Sequence, residues 1–257
     1  MFKSIKHFIH FTSLDVVLGA LSFQVYYYYF FYQVFPPIAY ISGLFSGIWL
    51  VYLLDRKWDV ILKQQADERH EFQLKHAPFI NLLLGMNCGI GLISAYFLPQ
   101  EILQMGAILI LVIFFYWGFL PLFNARKVYY LKELFTALIY SFGVLLVSWI
   151  NQPNIHLIYL FGLFSLLVWH HLCLYEVLEK PERSYYFSLL KFIELAWFIF
   201  FGIFIFREDV KIWELIPLLI TLLIQVIIHY FFHNFKSRFF AELAYLSPLI
   251  YFIHEIF

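Results

Sequence analysis

Residues Val51 to Leu62 read "VYLLDRKWDVIL". An apolar run leads into this stretch, which brings two aspartates, an arginine and a lysine before the chain turns apolar again. Asp55 and Asp59 stand four residues apart, so on a helix their carboxylates point the same way, one turn from each other. Two readings are open. The helix has reached water, or the two carboxylates hold a hard cation. Mg²⁺ takes one or two carboxylates and completes its shell with water and phosphate oxygens. Arg56 and Lys57, beside the pair, could offset phosphate charge.

Composition sets the class. The chain has 257 residues, 63% hydrophobic, 23% aromatic and 13% charged. Soluble domains carry about 25% charged residues, so lipid is the expected solvent, and mean hydropathy is +0.79. Net charge is zero, which leaves no basic surface for nucleic acid. Cys88 and Cys173 lie in apolar runs and read as core residues. The opening "MFKSIKHFIH" fits a short interfacial helix better than a cleaved signal.

A spanning helix needs about 20 mostly apolar residues. The expected runs are roughly 12–33, 36–54, 78–98, 101–123, 133–150, 155–175, 186–206, 212–233 and 240–257. The result is an all-α polytopic membrane protein, nine spans in one bundle and a single domain over 1–257. Breaks such as "FPP" at 35–37 and "NQPN" at 151–154 separate the runs. Of the 17 lysines and arginines, only Arg207 and Lys211 fall on one side; the others fall on the opposite side, loop after loop. That asymmetry places the N-terminus inside and the C-terminus outside. The larger polar loops, about 55–77 and 176–185, share the inner face, where chemistry is expected.

The inner loop after the sixth expected span reads "LYEVLEKPERSYY", with Glu176, Glu179 and Glu182. Between the two acidic segments lies the basic "FNARKVYYLKE" of 123–133. Acid, base, acid along one face suits a Mg²⁺-bound diphosphate.

In these features the chain resembles the UbiA superfamily of intramembrane prenyltransferases. The family's first motif often reads NDxxDRKxD; here "VYLLDRKWD" keeps Asp55, Arg56, Lys57 and Asp59, with Val51 and Tyr52 in place of the leading Asn and Asp. The second motif, usually DxxxD, is represented by glutamates spaced by three. The "ARK" at 125–127 stands where relatives often carry a Lys-Arg pair. The resemblance implies Mg²⁺ held by Asp55, Asp59, Glu176 and Glu179 as catalytic ligands. It implies a diphosphate met by Arg56, Lys57, Arg126, Lys127 and Lys191. The expected partners are a prenyl diphosphate, a lipophilic acceptor and membrane lipid, with the active face cytoplasmic, in a prokaryotic plasma membrane.

Further candidates are Asp15, an acid in the first span, Tyr52, His171 beside Glu176, and Glu182. Lys191 and Glu194, at i and i+3, are expected to pair. The tyrosines of "YYYYFFY" at 26–32 read as an outer interfacial belt. "HYFFH" at 229–233 and the His170–His171 pair leave open a His-ligated di-iron oxidase. A noncatalytic or lipid-handling transport role on the same fold is the third alternative.

Overall fold

The computed structural model describes residues 8–9, 11–61, 68–119, 129–151, 155–179, 185–208, 212–231 and 237–256. Every regular element among them is a helix. In chain order these are α1 (Leu14–Tyr32), α2 (Ile38–Ile61), α3 (Glu68–Lys75), α4 (Ala77–Phe97), α5 (Gln100–Phe119) and α6 (Tyr129–Asn151). There follow α7 (Ile155–Glu179), α8 (Tyr185–Glu208), α9 (Ile216–Phe231), α10 (Ser237–Leu243) and α11 (Pro248–Ile256). Single 3₁₀ turns at Ile212–Leu215 and Ala244–Leu246 precede α9 and follow α10.

Among the described residues, 7 helices are long and apolar enough to cross a membrane. They coincide with α2, α4, α5, α6, α7, α8 and the 212–231 segment. α1 has 19 residues, about 28 Å at 1.5 Å per residue, but its tyrosines lower its hydropathy. The last apolar run differs from the continuous helix its composition suggests. Pro248 has no N–H to give to a preceding turn, and the chain breaks into α10, the Ala244–Leu246 turn and α11. In lipid, backbone groups freed by such a break need partners within the protein. Ser22 Oγ donates to the Tyr245 carbonyl (2.6 Å), and Ser247 Oγ donates to the Pro217 carbonyl (2.8 Å). Thr221 Oγ1 donates to the Ala244 carbonyl (3.0 Å).

The core forms around α1 and α7. Phe23, Tyr26 and Tyr27 of α1 are fully buried against Phe164 of α7 and Tyr245. The first three tyrosines of the run are therefore core, in contrast to the interfacial belt expected from its composition, and residues 29–32 are half-buried. Burial needs an acceptor for each hydroxyl. Tyr26 donates to the Glu214 carbonyl and Tyr32 to the Ser148 carbonyl (3.0 Å). α1 ends where Gln33, in the left-handed region at φ 54°, turns its N–H to the Tyr29 carbonyl (2.8 Å).

α2 and α4 pack through a polar clasp. Ser46 Oγ donates to the Asn87 carbonyl (2.9 Å), and Asn87 Nδ2 donates to the Ser46 carbonyl (3.0 Å). Small and polar residues at such contacts are what lipid favours. α4 and α5 are consecutive but do not pack along their length; α5 rests on α6. A gap is left between them.

Two helices extend past their expected ends. α2 runs to Ile61 and α7 to Glu179, so Asp55, Asp59, Glu176 and Glu179 lie on helices rather than in loops.

The close approach of α1 to the C-terminal turn gives a test. A Cβ on Gly19 would lie 2.7 Å from Tyr245 Cβ, whereas one on Gly47 meets open space. Gly19→Ala is expected to destabilise by about 1–3 kcal/mol through overpacking, even though alanine favours the helix by about 1 kcal/mol. Gly47→Ala is expected to be neutral or stabilising. Thermal unfolding of the two variants in detergent reads the difference.

Candidate functional site

A cavity of about 920 Å³ lies among α2, α4, α5, α6 and α7. That volume is in the upper part of the roughly 300–1,000 Å³ range of small-molecule sites. Most of its wall is apolar or glycine, and at Gly47 and Gly106 an added Cβ would meet nothing within 4 Å. The wall is therefore open at these two positions of α2 and α5. Both α4 and α5 line the space, which lies between them.

One end of the cavity is polar. Tyr52, Asp55 and Arg56 reach it from the C-terminal part of α2. Lys132 and Glu133 come from the first turn of α6, and Tyr175 and Glu176 from the last turns of α7. Carboxylates from three helices and two cationic side chains therefore share the end of one apolar cavity. At low effective dielectric, charges that share such a space interact more strongly than in water. Arg56 is fixed by an Nη1 donation to the Phe11 carbonyl at 2.6 Å.

Tyr52 joins this end to a second polar group. It lies in electrostatic reach of Asp15, Asp55, Arg56 and Glu242. Tyr52, Tyr140, His171 and Glu242 also line a small cavity of about 20 Å³, room for one water. His171 Nε2 is 3.4 Å from Glu242 Oε2. Asp15 Oδ1 accepts from the Val16 N–H at 3.0 Å in the first turn of α1.

The other residues expected from sequence are placed as follows. Asp59 and Glu179 stand one turn or less beyond Asp55 and Glu176 on the same helices; their side chains lie outside the described residues. Arg126, Lys127 and Glu182 also lie outside them. Lys57 turns to α4, where Nζ donates to Asn81 Oδ1 at 2.6 Å, and it is not part of the cavity wall. Lys191 is exposed on α8 and away from the cavity. The expected Lys191–Glu194 pair is replaced by a different arrangement. Glu194 is buried and its Oε1 lies 3.1 Å from His170 Nε2 and 2.9 Å from His229 Nδ1. Spacing alone allows the pair, but the histidines of α7 and α9 hold Glu194 in the interior while Lys191 stays exposed. Cys173 is buried as expected, but Cys88 is exposed and lines the large cavity.

Lys132, Glu133 and Glu242 were not singled out by sequence. The "LKE" of 131–133 carried the signal, at the start of a helix on the face where the acids lie. Glu242 gave none, because its approach to His171 depends on the break after α10.

No protein-family model, curated protein or solved structure matches the chain.

The open space at Gly106 makes the cavity testable. Gly106→Leu adds a side chain inside it and, by helix propensity, leaves stability unchanged or raises it by up to about 1 kcal/mol. A long-chain lipid probe that binds the wild type is expected to lose affinity for this variant more than a short-chain probe does.

Proposed function

We propose that the chain transfers an isoprenyl group from a prenyl diphosphate to a lipophilic acceptor, in keeping with its resemblance to the UbiA superfamily. The carrying observation is that Asp55 of α2 and Glu176 of α7, remote in sequence, line the polar end of one cavity with Arg56 and Lys132. The rest of that cavity suits a hydrocarbon chain. In this reading the polar end is the cytoplasmic face of a prokaryotic plasma membrane. The bundle has nine spans, with the N-terminus inside and the C-terminus outside.

The donor set suits Mg²⁺. Carboxylate oxygens from α2 and α7 are hard ligands, and two suffice when water and diphosphate oxygens complete the shell. Asp55 and Glu176, with Asp59 and Glu179 next on their helices, would hold the ion. When bound, it supplies positive charge to a diphosphate leaving group. Arg56 and Lys132 would orient the diphosphate and stabilise the charge it gains as the C–O bond breaks. The aromatic rings of Tyr52, Tyr116 and Tyr140 on the cavity wall could face the allylic cation. The low-polarity wall keeps water from it. Glu133 is the nearest unassigned acid for a proton lost from the acceptor.

A noncatalytic lipid-handling role would use the same cavity. Binding separates the readings. Geranylgeranyl diphosphate is expected to bind detergent-purified protein only with Mg²⁺. Asp55→Ala/Asp59→Ala is expected to weaken binding at least tenfold, about 1.4 kcal/mol. Binding indifferent to Mg²⁺ and to both substitutions would remove the diphosphate site. Mg²⁺-dependent binding with no diphosphate released and no prenyl group transferred to any aromatic acceptor would favour lipid handling.

A further inference from the structure

On the side of α7 away from the cavity, three potential ligands converge. His170 of α7, Glu194 of α8 and His229 of α9 are all buried, and one ligand atom from each lies within 4.8 Å of the others. Among the described residues this is the one group of three or more such side chains so placed. Glu194 Oε1 is the centre, 3.1 Å from His170 Nε2 and 2.9 Å from His229 Nδ1. Its other oxygen, Oε2, accepts from the Tyr230 hydroxyl at 3.2 Å.

His170 has its second ring nitrogen engaged as well. Nδ1 is 2.9 Å from Gln225 Oε1. A neutral imidazole has a single N–H. If Nδ1–H is donated to the amide oxygen, Nε2 turns a lone pair toward a carboxylate oxygen. A cation must then sit between them. A proton would serve for His170 alone. A metal ion would serve for all three groups, since His229 aims its Nδ1 at the same oxygen. An Nδ1–H donated to Gln225 would also be what ligating histidines make, where the second nitrogen donates to a carbonyl and fixes ring and tautomer.

Placement supports the same conclusion. His170 and Glu194 are each about 13 Å from the polar ends of α7 and α8, at 1.5 Å per residue, within apolar spans. A carboxylate there is costly unless paired. Two imidazoles and one carboxylate are a donor set for first-row divalent ions such as zinc or iron, rather than for Mg²⁺.

We propose that His170 Nε2, His229 Nδ1 and the Glu194 carboxylate bind one divalent transition-metal ion that cross-links α7, α8 and α9, with Gln225 positioning His170. The site is separate from the large cavity and does not rest on the prenyl-transfer reading.

The test is metal binding by the full chain in detergent, stripped with chelator and titrated with Co²⁺ as a spectroscopic probe, then with Zn²⁺ in competition. The expected result is one Co²⁺ per chain, bound tighter than about 1 μM, with visible ligand-field absorption that Zn²⁺ removes. Glu194→Gln and His229→Ala are each expected to abolish that absorption. Gln225→Ala should retain it with affinity lowered about 10–100-fold, the usual effect of losing a partner behind a ligand. Asp55→Asn should leave it unchanged. The wild-type titration does not depend on any variant folding. Absence of the absorption in the wild type, binding only at millimolar metal, or absorption that survives Glu194→Gln and His229→Ala would each overturn the site.

Discussion

Hydrocarbon cannot solvate a carboxylate, and the arrangement of this bundle follows from that constraint. Asp55, Glu133, Glu176, Glu194 and Glu242 all lie on helices within or beside the apolar segments. Each must find a countercharge, a donor or water. They fall into separate groups. Asp55, Glu133 and Glu176 gather around the polar end of the large cavity with Arg56 and Lys132, and Glu242 lies beside His171 at the small cavity. Glu194 stands apart, enclosed by His170, His229 and Tyr230. α7 can serve both the large cavity and Glu194 because residues 172, 175 and 176 face one way and residue 170 the other, as helical periodicity requires.

The same constraint explains the irregular C-terminal segment. A break in a helix frees backbone carbonyls, and here Ser22 and Thr221 cover those of Tyr245 and Ala244, while Ser247 ties the turn to the Pro217 carbonyl of α9. The break places Glu242 next to His171 and Tyr245 next to Gly19. The tyrosines of α1 belong to this scheme too. Tyr26 and Tyr32 donate their hydroxyls to main-chain carbonyls of other segments, which tyrosines in reach of those carbonyls can do.

Helix class and the extents of most helices were legible in the sequence, because apolar runs of membrane length and proline-marked breaks are local signals. The partnership of Asp55 with Glu176 was anticipated from position along the chain, and the two do line one cavity. Side-chain direction was less legible. Lys57 follows the motif but turns to Asn81, and Lys132 and Glu133 sit in a basic segment whose sequence does not tell which side chains face the cavity. Glu194 was matched to Lys191 by spacing alone. Tertiary packing decided otherwise, since only the inward face of α8 meets two histidines from other helices. The aromatic run on α1 misled for a similar reason. Tyrosine fits both an interface and a hydroxyl-satisfied core, and composition does not separate them.

The central claim is that Asp55 and Glu176, on different helices, act on one ligand at the polar end of the cavity. A double-mutant cycle tests this most directly, with Asp55→Asn, Glu176→Gln and the double variant compared by affinity for geranylgeranyl diphosphate in Mg²⁺. Residues that share a ligand couple by about 0.5–3 kcal/mol, whereas independent sites add within about 0.3–0.5 kcal/mol. A coupling energy clearly above about 0.5 kcal/mol is the expected result. Simple additivity, or no loss in either single variant, would contradict a shared site.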